Sequence, residues 1–397
     1  MIFSSETSPI FAIAILLAAF LTAYILNKIK PSKQFQKYRS LDGFRGLAAI
    51  FVFLHHSSIW YFYKQSNKWV VPPSKLYTQF GQGAVTIFFM MTAFLFYGKI
   101  RESSRIDWIS LYSARIMRLA PLYYFITIII IILAIFVSKN PILHIPSLED
   151  CLHYFLFSLG GTPNLFGVKD TFIFSAGVTW TLPYEWFFYL SLPGIFIVTK
   201  RLKSQKRLYY LIIPLWILFA LYMSRHFLGV RELTIFIFGI AAYEIYRLQK
   251  FNTIKRFATG NYGSLLAIIA LLVVIFKFNT AYNYYALFLY FIIFLIISLG
   301  NNIGGLLTSG PARKLGEISY SIYLLQGFIL YIAFGLLVPT KQTPSHYWFV
   351  DLLCVVILII SSQLTFYFIE YKLMEKHEYL SKKIKSLLRM SYSKHSN

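Results

Sequence analysis

Charge is scarce in this chain, and acid is scarcer than base. Of 397 residues, 13% are charged, with 15 Asp and Glu against 38 Lys and Arg and a net charge of +23. Ordinary soluble chains carry about 25% charged residues, so a string of soluble domains is excluded. Cysteine is nearly missing. Cys151 falls in a loop and Cys354 inside an apolar run, a pattern that offers neither a structural disulfide nor a metal-ligand spacing. No phosphate-binding Gly-Lys loop, dinucleotide fingerprint, GxSxG elbow or HExxH pair occurs. No metal is expected.

What the chain has in abundance is apolar sequence, 57% of it, with a mean hydropathy of +0.61. Runs close to the roughly 20 residues needed to cross a bilayer recur from end to end. The reading is an all-α, polytopic membrane helical bundle. Spans fit at 9–26, 41–62, 81–98, 119–137, 179–198, 208–223, 233–246, 262–276, 282–299, 318–338 and 347–369, eleven in all. The longest polar connection is 138–178. Its apolar piece 152–159 is too short to cross and is expected at the interface or as a dip into it.

The basic residues test this layout. Alternate connections and the tail (28–40, 99–118, 199–207, 247–261, 300–315 and 372–397) hold 28 of the 38 Lys and Arg. The positive-inside rule puts those segments in the cytoplasm, with the N-terminus outside and the C-terminus inside. It also explains the net charge without nucleic acid, which is not an expected partner; membrane lipid is. The first run lacks the charge order of a cleaved signal peptide, since its lysines follow it instead of preceding it. It is read as a retained helix. The division is then an extra N-terminal helix and basic linker (1–37), a membrane core (38–371) and a basic cytoplasmic tail (372–397).

One span does not belong in lipid as it stands. The run LDGFRGLAAIFVFLHH, 41–56, carries Arg45, His55 and His56. A charged side chain at a bilayer centre costs about 2.5–3.5 kcal/mol on insertion scales, and such groups usually face a cavity or a partner. Eleven residues separate Arg45 from His56, which returns them to nearly the same helical face about 16 Å apart along the axis. His55 lies off that line. Snorkelling of Arg45 to headgroups and an interhelical hydrogen bond from a histidine explain each residue singly. The pair on one stripe is harder to explain that way.

At these residues the chain resembles the acyltransferase-3 family of integral-membrane acyltransferases. LDGFRGLAA followed by His56 is similar to its opening signature of Arg or Lys, ten residues, then His. FFMMTAFL (88–95), ARIMRLAPLYY (114–124), TWTLPYEWFFY (179–189) and SYSIYLLQ (319–326) resemble its later motifs in order. Two departures from the pattern, at three positions, stand out. Thr92-Ala93 stand where the family usually has Ser-Gly, and Gln326 where it often has His. The first questions close packing at the third span; the second leaves acid–base work to His56 or His55. The resemblance implies a ten-helix acyltransferase core that moves an acyl group from a cytoplasmic thioester, generally acetyl-CoA, to a hydroxyl on an extracytoplasmic glycan.

Carried over residue by residue, it implies catalytic roles for His56, Arg45 and Glu185, and donor-binding roles for Arg45, Arg115 and Arg118. A neutral imidazole suits a base near pH 7, and guanidinium groups suit donor phosphates. Arg115 and Arg118 share a helical face, though ordinary positive-inside charge explains them too. Glu185 is expected near the outer side, orienting the imidazole or pairing with Arg225 or Arg231. Tyr184 and Trp180 are candidates for a sugar site or for an interfacial belt. The expected protein is a bacterial inner-membrane O-acetyltransferase acting on a surface polysaccharide or its lipid-linked precursor, of the O-antigen or lipopolysaccharide kind. A transporter of a glycan or small solute is the competing class, because intramembrane Arg, His and Glu also mark transport paths.

Overall fold

The computed structural model describes residues 5–32, 37–200, 218, 221–223, 225, 228–248, 252–338 and 343–394, with the side chains of 5, 200, 252 and 389–394 outside that description. Helices dominate it and none of the described residues forms a strand. Ten of the eleven expected spans fall on these helices. The sixth, 208–223, lies almost wholly outside the described residues.

The first helix, α1 (Pro9–Ile29), starts with Ser8 accepting from Ile10 N at 3.2 Å and with Pro at its first position, both favourable at a helix start. Phe11, Ile15, Ala19 and Ala23 recur every four residues and are fully buried, whereas Ile13, Leu17 and Leu21 are exposed on the other side. A helix apolar all round is one that faces both protein and lipid. Five helices among the described residues are long and apolar enough to cross a membrane, and a pair bent by 69° would make a sixth. The chain is a multi-pass membrane protein.

The second helix, α2 (Arg39–Ser66), is 28 residues long, about 42 Å at 1.5 Å per residue. It is long enough to cross but too polar to count as a purely apolar span. The helix starts at Arg39 with Tyr38 at the cap position and no side-chain cap, so Asp42 does not cap it. Asp42 instead sits in the first turn and approaches Arg45 at 3.5 Å.

Helix α2 packs on α3 (Lys75–Glu102). Small residues set the distance: a Cβ at Gly81 would lie 2.3 Å from the His55 ring. Helix α4 (Trp108–Val137) follows, with Asp107 capping Ser110 N at 3.1 Å. The connection beyond it holds the short α5 (Leu148–Phe155), closed at its start by a Ser147–Asp150 capping box. The apolar piece expected at 152–159 is thus half helix, ending where Phe157 and Ser158 take positive φ.

The chain then enters the fifth span through a 3₁₀ turn (Val178–Thr181) before α6 (Leu182–Lys200). Next come α7 (Val230–Arg247), α8 (Asn252–Thr259), α9 (Asn261–Lys277) and α10 (Tyr284–Ser298). The close approach doubted at Thr92-Ala93 is made by the partner helix. A Cβ on Gly239 of α7 would stand 2.2 Å from Met90 O and 2.7 Å from Ala93 Cβ, so one glycine on α7 does the work of one on α3.

Helix α11 (Gly310–Glu317) leads directly into α12 (Ser319–Leu330), which continues as a π-helical stretch, Tyr331–Leu337. Helix α13 (Pro344–Thr365) also runs into a π-helical segment, Phe366–Tyr371. The tail forms a helix, α14 (His377–Lys394), which packs on α4 with Lys385 bonded to Asp107. α1 lies across α11 and α13: Lys314, 1% exposed, donates to Lys30 O at 3.0 Å. Below it Asp351, fully buried, accepts from Ser57 at 2.7 Å.

Candidate functional site

Helices α2, α3, α4, α6 and α12 enclose a cavity of about 840 Å³, counting its open mouth. Three guanidinium groups line it, Arg45 from α2 and Arg115 and Arg118 from α4, together with the carboxylate of Glu185 from α6. Phe88, Phe89, Phe96, Tyr320 and Tyr323 supply aromatic wall. Four of the five residues picked from the sequence therefore meet in one place.

Each is held by local structure. The Arg45 Nε and Nη2 atoms donate to the Gly316 carbonyl at 3.2 and 2.9 Å. That carbonyl is exposed to Arg45 because α11 and α2 touch backbone to backbone: a Cβ at Gly46 would meet Gly316 N at 2.5 Å. Arg118 makes an ion pair with Glu370 at 3.0 Å and touches the Met374 sulfur at 3.1 Å. Glu370 is fully buried in the π-helical end of α13 and also accepts from Ser321 of α12. Arg115 lies over the Phe96 ring, 4.7 Å from its centroid. Among the described residues it has no carboxylate within ion-pair distance.

Glu185, expected to orient the imidazole or to pair with Arg225 or Arg231, lies in the cavity with the three arginines. The 3₁₀ turn delays the helix, so Glu185 falls in the first turn of α6, where the helix dipole favours a negative charge. It accepts from Thr92 at 3.2 Å and from Tyr189 at 3.4 Å, and it faces the arginines. Arg231, an expected partner, is paired with Glu232 at 3.1 Å. Thr92, a departure from the expected Ser, supplies the same hydroxyl chemistry to Glu185.

His56 does not line the cavity. It lies further along α2, past the cavity's Thr181–Tyr323 end, where those two hydroxyls meet at 3.0 Å. Its neighbour is Gln326 of α12, and its Nδ1 has no hydrogen-bond partner among the described residues. His55 is committed elsewhere, with its Nδ1 2.8 Å from Tyr77 O and its ring pressed against Gly81. Tyr184 is also engaged: its hydroxyl accepts from Gly229 N at 2.8 Å. Trp180 is 40% exposed and packs on Tyr184 at 5.5 Å.

A family model described as an acyltransferase domain matches residues 38–367. The chain belongs to the acyltransferase-3 family. No curated protein and no solved structure matches it. The match makes the chain a membrane acyltransferase, and it takes in four helix-borne residues of the cavity, Arg45, Arg115, Arg118 and Glu185. Glu370 lies just beyond its end. Sequence reasoning missed Glu370, Thr92 and Tyr189 as parts of the site. A signal was available for Glu370, since a lone carboxylate ending an apolar run needs a partner.

Proposed function

We propose that this acyltransferase carries an acetyl group from acetyl-CoA at the cytoplasmic face to a hydroxyl of an extracytoplasmic surface polysaccharide or its lipid-linked precursor. The observation that carries the reading is the single cavity that gathers Arg45, Arg115 and Arg118 beside aromatic walls. Guanidinium groups bind phosphate oxygens in pairs of hydrogen bonds, and the aromatic and apolar wall suits the uncharged arm that ends in the thioester. The distribution of Lys and Arg supports a cytoplasmic mouth, with the N-terminus outside and the C-terminus inside. Residues 38–371 are the catalytic core in this reading, with 1–37 an added helix and 372–397 a basic cytoplasmic tail.

In the reaction, His56 takes the proton of the acceptor hydroxyl. The hydroxyl oxygen adds to the thioester carbonyl, the C–S bond breaks, and the departing thiolate receives the proton. Arg45, fixed by the Gly316 carbonyl, stands at the donor end of this path. Glu185 acts on the donor side, where its charge sets the arginines opposite it. A longer acyl chain would follow the same chemistry, and a panel of acyl-CoA donors distinguishes it from acetyl.

The test is release of free thiol from acetyl-CoA by the purified protein in lipid nanodiscs, with mass spectrometry of the surface glycan from cells with and without the gene. Thiol release and a glycan lighter by whole acetyl groups in the deletion are expected. His56→Ala should lower transfer by about a hundredfold or more, the scale of general-base catalysis. Full transfer by that variant, or no thiol release by the wild type, would overturn the reading.

A further inference from the structure

The seam between α2 and α12 has Arg45 at one end and His56 at the other, and the arginine-lined cavity stops one helical turn short of His56. On α12 its last lining residue is Tyr323, whereas His56 lies beside Gln326, three residues further on. On α3 the lining residue nearest the histidines is Val85, four residues from Gly81, against which the His55 ring is pressed. At 1.5 Å per residue both helices leave about 4–6 Å between the end of the cavity and the level of the histidines.

One side chain and the turn that holds it close this gap. The Tyr323 hydroxyl donates to Val178 O at 3.0 Å and lies 3.0 Å from the Thr181 hydroxyl, which itself donates to Val178 O at 3.2 Å. All three residues are buried. A helical side chain leans over the turn that precedes it, so the Tyr323 ring covers the cavity side of this step. Phe88 of α3 packs against that ring with centroids 5.8 Å apart. Val178 and Thr181 belong to the 3₁₀ turn that leads into α6. The chain just before the turn is seated on α12 itself: a Cβ at Gly327 would lie 2.0 Å from Ser175 C. The backbone of the closure is therefore fixed, and the part that can move alone is the Tyr323 side chain.

Water competes with an acceptor hydroxyl for a thioester. A water oxygen that adds to the acetyl carbonyl carbon breaks the C–S bond, one water proton passes to the sulfur, and acetic acid and free thiol result. Hydrolysis uses the same kind of base as transfer, so a donor kept apart from His56 and from water is spared it. We infer that Tyr323 is a specificity-determining gate between the donor cavity and His56. Bonded to Val178 and Thr181, it separates the thioester from the base; swung away, it lets the two meet. The hydroxyl sets the balance, because its hydrogen bonds are what the closed position has and the open one lacks. This rests on the acyl-transfer reading above and extends it to how transfer is favoured over hydrolysis.

The test uses the full-length protein in nanodiscs with acetyl-CoA and no added acceptor, following free thiol and acetate together. The wild type should release both slowly. Tyr323→Phe keeps the ring and loses its hydrogen bonds, and release should rise about fivefold or more, the effect of at least one lost neutral hydrogen bond. Thr181→Val, which leaves the bond from Tyr323 to Val178 in place, should give a smaller rise. The acetyl-CoA KM should stay within about twofold in both variants, and adding His56→Ala to Tyr323→Phe should abolish the gain. General damage to the fold would lower release instead of raising it. Release by Tyr323→Phe at or below the wild-type rate, extra thiol without matching acetate, or a gain that survives His56→Ala would overturn the gate while leaving acyl transfer standing. A wild type and variants that all release no thiol would overturn acyl transfer itself and the gate with it.

Discussion

The two ends of the α2–α12 seam treat polar groups in opposite ways. At the Arg45 end three of the four charged groups are held by polar partners, Arg45 by the Gly316 carbonyl, Arg118 by Glu370, and Glu185 by Thr92 and Tyr189, while Arg115 lies over the Phe96 ring. At the His56 end the polar groups are neutral in kind, and His56 Nδ1, Gln326 Oε1 and Trp60 Nε1 have no partner among the described residues. The difference follows from what each kind of group costs. A buried charge without compensation is far more expensive than an unpaired amide or indole. A site for phosphate must therefore carry its own counter-groups before the ligand arrives.

The largest expected effect breaks the first half of this contrast. Glu370→Ala leaves the Arg118 charge without its buried partner, which should cost about 3–5 kcal/mol and lower the melting temperature of the purified protein. Glu370→Gln, which can still accept from Ser321, should cost less. Equal melting temperatures for all three proteins would remove Glu370 as the anchor of Arg118. Next is Arg115→Ala. Loss of a charge-assisted hydrogen bond to phosphate, about 1.5–3 kcal/mol, should raise the acetyl-CoA KM by about tenfold or more. An unchanged donor KM would take Arg115 out of the donor site.

A smaller effect sharpens the link between packing and chemistry. Gly46→Ala places a methyl group 2.5 Å from Gly316 N, and overpacking of that sort costs about 1–3 kcal/mol. Because the Gly316 carbonyl holds Arg45, the variant should lose donor affinity as well as stability. A stability loss with an unchanged donor KM would separate Arg45 from its carbonyl anchor. The smallest effect is a control on the surface. Lys37 and Glu102 pair at 2.6 Å but their side chains are 53% and 47% exposed. Lys37→Ala should therefore change stability by about 0–1 kcal/mol, read as a melting shift close to zero.

The helical class, the order of the motifs and the grouping of Arg45 with Arg115 and Arg118 were legible because each depends on local pattern, whereas Glu185 was expected beside the imidazole and not beside the arginines. Hydropathy reports spans, and a charge inside a span must face protein. What was not legible depends on which helix lies next to which. Nothing near Arg118 in the chain announces Glu370, which arrives from the far end of the last span. Gln326 reads alone as a lost acid–base group and gains meaning only beside His56. The delay of α6 by a 3₁₀ turn, which puts Glu185 at a helix start, and the π-helical stretches of α12 and α13 leave no clear periodic mark. Close approach at Thr92-Ala93 could not be judged from α3, since the glycine that permits it is Gly239 on α7.

The central claim is that the arginine-lined cavity holds the phosphate-bearing end of an acyl donor. Its most direct test is calorimetric titration of the purified protein in nanodiscs with acetyl-CoA and, separately, with acetyl-pantetheine, which has the thioester but no phosphates. Acetyl-CoA should bind the more tightly, and Arg115→Ala should weaken it by about tenfold or more while making little difference to acetyl-pantetheine. Equal binding of the two donors, or an Arg115→Ala protein that binds acetyl-CoA as the wild type does, would contradict the account.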